Sequence, residues 1–134
     1  AAAEKGDIAI LAVTVLTSID ETTLHAVGVA GSIAAQVARL AALTENAGLD
    51  GVVCSPLEIA LLRAERGAGF KLITPGVRPA ASAADDQVRV ATPGAAISAG
   101  ASYLVVGRPV TQASDPLAAL AAINAEIIAA RRDA

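Results

Sequence analysis

Gly48-Leu49-Asp50-Gly51-Val52-Val53-Cys54-Ser55-Pro56-Leu57-Glu58 carries the end of one helix, a short strand and the start of the next helix in a single stretch. Glycine at 48 suits the left-handed residue that often closes a helix. Gly51-Val52-Val53-Cys54 is apolar without alternation, as strands buried on both faces are. Ser55 is an N-cap residue, Pro56 fits the first helical position, and Glu58 is spaced for a capping box. The reading is a strand-to-helix junction of a parallel α/β fold.

The same plan recurs on both sides. Apolar runs occupy Ile8 to Leu16, Phe70 to Ile73 and Tyr103 to Val106. Thr92-Pro93 and Asp115-Pro116 repeat the cap-then-proline start. Gly67 and Gly100 repeat the glycine stop a few residues before a strand. Ile33, Val37, Leu40 and Thr44 recur at helical spacing, as do Leu117, Leu120, Asn124 and Ile127. The pattern predicts four βα units, with helices near 31–47, 56–66, 93–99 and 116–131, right-handed crossovers and a parallel sheet. A chain of 134 residues falls well short of the roughly 250 of a closed eight-unit barrel. The expected fold is therefore half of a (β/α)8 TIM-type barrel in one domain, residues 1–134. A flavodoxin-like open sheet is the alternative at this length.

Composition narrows the function. Apolar residues make up 54% of the chain, much of it alanine, with one Phe and one Tyr, so the core is built from Ala, Val, Leu and Ile. The net charge is −3 and the pI about 5.0. The arginines are scattered and no aromatic platform exists, so no nucleic-acid partner is expected. No apolar run approaches the ~18 residues of a membrane span. Ala1-Ala2-Ala3-Glu4-Lys5 lacks the apolar core of a secretory signal. A single cysteine rules out an internal disulfide framework. The cytoplasm is the expected compartment.

Chemistry in such folds gathers where strands end. After the last strand stands Gly107-Arg108-Pro109. Glycine permits close backbone approach to a ligand, and Arg can hold an oxyanion through two parallel hydrogen bonds. Taken alone, the tripeptide is equally a turn with a solvated arginine. After the third strand, Thr74-Pro75-Gly76-Val77-Arg78-Pro79 presents Arg78 from a stiff loop, and Gln87 lies near the end of the polar stretch Ala80 to Ala91. Loops of that length often serve as binding loops or lids, though a plain surface excursion has the same composition. After the first strand, Thr14, Thr17 and Ser18 suit capping as well as ligand binding. His25 reads as a surface residue and Cys54 as a small buried side chain. No metal-ligand spacing and no Gly-x-Gly-x-x-Gly or Walker-type loop occurs.

Four motifs together carry a resemblance: Val13 to Ser18, Gly48 to Ser55, Phe70 to Pro79, and Gly107-Arg108-Pro109-Val110-Thr111-Gln112. In this order and spacing they strongly resemble the C-terminal half of bacterial orotidine 5′-phosphate decarboxylase, over nearly the whole chain. The resemblance implies a homodimeric (β/α)8 barrel that converts orotidine 5′-phosphate to UMP and CO₂ with no metal or organic cofactor. It implies that Thr17 contacts the pyrimidine end and that Pro75 lines the pocket. Arg78, Arg108 and the Gly107 N–H would hold the phosphate, and Gln87 would bridge phosphate and base. The strands would be five to eight of the parent barrel.

The departure from that family is as informative. Its Asp-x-Lys-x-x-Asp motif is absent, since the lysines are Lys5 and Lys71 and neither has that setting. The expectation is a chain with the phosphate-binding half and no catalytic residue, inactive alone and associating as a homodimer or higher oligomer. A self-pairing half-barrel binding module and a related phosphate-sugar barrel enzyme are the alternatives.

Overall fold

The computed structural model describes residues 8–79 and 91–132. Four strands, β1 (Leu11–Val13), β2 (Gly51–Val53), β3 (Lys71–Thr74) and β4 (Tyr103–Leu104), form one sheet. Their order is β1-β2-β3-β4 and every pairing is parallel. Sequential order is what successive βα units of a barrel give. It excludes the flavodoxin-like alternative, whose order begins 2-1-3.

The predicted helices stand close to where the caps and spacing put them: α2 (Ile33–Asn46), α3 (Ile59–Arg66, entered by a 3₁₀ turn at Pro56–Glu58), α4 (Pro93–Ser98) and α6 (Pro116–Arg132). Two further helices, α1 (Glu21–Ala26) and α5 (Arg108–Thr111), lie in segments read as connections. Each is too short to display a helical period. The predicted caps form. Ser55 and Glu58 make the reciprocal capping box, Thr92 Oγ1 accepts from Ala95 N at 3.2 Å, and Asp115 Oδ1 accepts from Leu117 and Ala118 N at 3.1 and 3.0 Å. Such caps contribute about 1 kcal/mol each. Gly48, Gly67 and Gly100 all have positive φ at the predicted stops.

Alternate strand residues divide the sheet into two unlike faces. Val52 and Leu72, both 0% exposed, lie under the helices with Val37, Ala41, Ile59 and Leu62. The opposite face carries Val13, Val53, Ile73, Tyr103 and Val105. Val13 is 60% and Tyr103 61% exposed. Burial of the strands on both faces, expected from their unbroken apolar runs, is therefore not met within this chain. The helices cover one face only.

The register in the middle of the sheet depends on one close approach. Gly51 faces Lys71 across the β2–β3 pair, and a Cβ at Gly51 would collide with the Lys71 carbonyl. Arg63 acts at the same, N-terminal end of the strands. Its guanidinium donates to the carbonyls of Gly67 (2.6 Å), Phe70 (2.8 Å) and Gly100 (2.6 Å), tying the chain entering β3 to the chain entering β4.

Two substitutions should act in opposite directions. Gly51→Ala is expected to destabilise by about 3 kcal/mol, the upper end of ordinary overpacking costs. Thr74 is fully buried and its hydroxyl has no hydrogen-bond partner among the described residues. Thr74→Val is expected to stabilise by about 1 kcal/mol, because a buried unpaired hydroxyl is costly. Urea unfolding of the two variants and the parent checks both signs.

Candidate functional site

The parallel sheet puts the ends of all four strands on one side of the molecule. β3 and β4 are neighbours, and Val105 N donates to Thr74 O at 2.9 Å. That bond fixes the last turn of sheet before both candidate loops, Pro75–Pro79 and Gly107–Arg108.

In the first loop, Gly76 has φ +77°, a left-handed conformation that turns the chain sharply after Pro75. Gly76 and Val77 are buried, while Pro75 and Arg78 are half-buried. Val77 forms a parallel bridge with Ala91, and Arg78 N donates to Ala91 O at 2.9 Å. The two ends of the segment between them are thus tied together, and Arg78 is held at the base of that segment. Its Nη1 donates to the Val77 carbonyl at 3.1 Å. Gln87 lies outside the described residues.

In the second loop, Gly107 is the N-cap of α5, whose first residue is Arg108. Val110 N and Thr111 N both donate to Gly107 O, at 2.9 and 3.1 Å. Pro109 has no N–H, and the Val110 and Thr111 N–H groups are both taken up inside this turn. A Cβ built on Gly107 would meet nothing within 4 Å, so there is room beside this backbone. Arg108 is half-buried. The sequence offered Gly107-Arg108-Pro109 as a loop or turn. The structure makes it a helix start, and Pro109 at the second helical position is the local signal for that.

Thr17 is buried at the end of β1, in the turn closed by Ile19 N donating to Leu16 O at 3.0 Å. Within the sheet β1 stands three positions from β4. Pro75 and Arg78 thus follow one strand and Gly107 and Arg108 follow its neighbour, while Thr17 follows the strand farthest from β4 in the sheet. His25 is exposed with Nε2 2.9 Å from Gly31 O, and Cys54 is buried, both as read from sequence. Among the described residues no group of three His, Cys, Asp or Glu side chains could hold a metal ion. No helix among them is long and apolar enough to cross a membrane.

Comparison with known proteins agrees with this fold. The orotidine 5′-phosphate decarboxylase / HUMPS family model matches residues 1–123. The orotidine 5′-phosphate decarboxylase of Halorhodospira halophila is 57% identical over 129 residues, covering 96% of this chain and 55% of that protein. The Chromobacterium violaceum enzyme of the same name is 58% identical over 118 residues, covering 88% and 48%. The crystal structure of orotidine 5′-phosphate decarboxylase from Lactobacillus acidophilus superposes with a TM-score of 0.74 at 43% identity, covering 89% of this chain and 49% of that one. The chain spans about half the length of the relatives it matches, and its fold is half of their TIM barrel. The sheet order, the paired loops after β3 and β4, and these matches together place the chain in the orotidine 5′-phosphate decarboxylase / HUMPS family.

Proposed function

We propose that this chain is the phosphate-binding half of an orotidine 5′-phosphate decarboxylase barrel, strands five to eight, and that it lacks the residues of the chemical step. The observation that carries the proposal is the adjacency of Arg78 and Arg108 on neighbouring βα units, beyond strands joined by the Val105–Thr74 bond. A dianion between the two guanidiniums and the Gly107 N–H meets charge-assisted donors from two directions. Gln87, from the segment whose ends Val77 and Ala91 tie together, bridges phosphate and base. Pro75 lines the pocket wall and Thr17 meets the pyrimidine. The family model spans decarboxylase and HUMPS branches. Relatives more than half identical carry the decarboxylase name, which supports orotidine 5′-phosphate or UMP as the ligand.

The phosphate is remote from the carbon that loses CO₂. Its binding energy serves the reaction only if other groups act at the transition state. The resemblance assigns that work to an Asp-x-Lys-x-x-Asp motif, and the sequence has none. Lys71 does not substitute for it. It is the first residue of β3, at the opposite end of the strand from the loops. Loss of groups that act in the transition state removes most of the rate.

Two outcomes follow. The chain should bind UMP weakly. Each charge-assisted bond contributes roughly 1.5–3 kcal/mol, against the ordering of the loop and the missing sugar and base contacts. The net is about 4 kcal/mol, or roughly millimolar, and weakens with salt. A heteronuclear NMR titration should show shifts confined to 76–88 and 107–110, and Arg108→Ala should abolish them. No shifts at tens of millimolar UMP would remove the reading. Separately, the chain alone should convert no orotidine 5′-phosphate, measured by ultraviolet absorbance. Turnover that co-purifies with the chain and disappears in Arg108→Ala would contradict the assignment.

A further inference from the structure

We infer that Glu126 of α6 is a positioning residue for Arg78: it holds the start of α4, and through it Ala91, on which the Arg78 backbone rests. Its role in binding rests on the phosphate reading.

The path between the two residues is short. Val77 bridges Ala91, and Arg78 N donates to Ala91 O at 2.9 Å. The Arg78 guanidinium is tied to the same loop, since Nη1 donates to Val77 O at 3.1 Å. The position of Ala91 thus sets that of the Arg78 backbone. Ala91 runs straight into the first turn of α4, where Thr92 is the N-cap and Pro93 fixes φ at the first helical position. Each N–H of that turn has an identifiable fate. Pro93 has none. Ala95 N donates to Thr92 Oγ1 at 3.2 Å, and Ala96 N to Thr92 O at 3.0 Å. Gly94 N donates outside its own helix, to Glu126 Oε1 at 3.0 Å, across 32 residues of sequence.

Two further observations set Glu126 apart from an ordinary surface glutamate. It is half-buried, and Pro93 and Gly94 are buried, so the bond lies in the seam between the helices. A Cβ on Gly94 would stand 3.2 Å from both Cγ and Oε1 of Glu126, so the carboxylate lies against the backbone itself and glycine leaves it room. Among the described residues this is the only hydrogen bond between α4 and α6. α6 follows α5, which opens at Arg108. The unit that carries Arg108 therefore reaches over and holds the residues on which Arg78 rests. Arg63 ties the entries of β3 and β4 below the sheet, and Glu126 ties the helices that follow those strands. The bond needs an acceptor and not a charge, so glutamine can replace glutamate and alanine cannot.

Amide hydrogen exchange followed by NMR tests this directly. Glu126→Ala should speed exchange of the Arg78 amide about tenfold, as expected when one hydrogen bond opens locally. The Val105 amide, bonded to Thr74 O within the sheet, should keep its parent rate. Glu126→Gln should keep both rates. UMP affinity should fall about tenfold in Glu126→Ala, the low end for one charge-assisted bond, and stay at the parent value in Glu126→Gln. An unchanged Arg78 rate in Glu126→Ala would overturn the inference. So would Arg78 and Val105 rates that rise together, which is general destabilisation, or a glutamine variant that behaves as the alanine one. UMP bound by Glu126→Ala as tightly as by the parent would also overturn it. Absence of UMP shifts in the parent, with the Arg78 exchange response intact, would remove the phosphate reading and leave Glu126 as the support of Arg78.

Discussion

The parallel pairing of β3 with β4 is the constraint on which the candidate site depends. Neither loop carries enough structure to place its arginine. Pro75 and Gly76 turn the chain, and Gly107 opens α5, but each does so from the end of its own strand. The bonds that hold these strands side by side, with Val105 N on Thr74 O as the last, set the separation of the two loops. Below them, Arg63 ties the entries of the same two strands through the carbonyls of Phe70 and Gly100. The unit that would grip a phosphate is thus fixed at both ends, and every residue that fixes it belongs to this half of the barrel.

The same sheet explains why the chain is physically unfinished. Its helices bury Val52, Leu72, Ile59 and Leu62 completely, a core sufficient for one face. The other face and both flanks present apolar side chains to water. Exposed apolar patches of this kind mark interaction surfaces. In the relatives, which are about twice as long, further chain is present beyond the part that matches.

Much of this was legible in the sequence, because the signals are local. Ser55, Thr92 and Asp115 cap helices with their own side chains, and Gly48, Gly67 and Gly100 stop them with their own φ angles. None of this needs a tertiary neighbour. The helix starting at Arg108 was less visible, since four residues cannot show a period, although Pro109 was a usable cue. The stripe Leu117, Leu120, Asn124 and Ile127 was found, but its role was not. Periodicity shows that a helix has an apolar face, and says nothing of whether that face meets this chain. Only Ile123, off the stripe, is buried in α6. The exposure of Val13 and Tyr103 escaped for the same reason. An unbroken apolar run records the full set of neighbours a strand was selected to meet, including those outside these residues. For the site, adjacency of Arg78 and Arg108 could be read from the order of units. Their individual roles came only from resemblance, and the position of Gln87 lies outside the described residues.

The central claim is a division of labour: this half supplies the grip on phosphate and the absent half supplies the chemistry. The most direct measurement is complementation in trans. This chain would be refolded with the separate N-terminal half of the Halorhodospira halophila relative, 57% identical over the matched part, and decarboxylation of orotidine 5′-phosphate followed in the purified complex. The account predicts turnover that neither half shows alone. It also predicts a fall of at least tenfold in kcat/KM when Arg108→Ala is placed in this chain, about 1.4 kcal/mol of lost transition-state binding. An assembled complex that turns over equally well without Arg108 would contradict it.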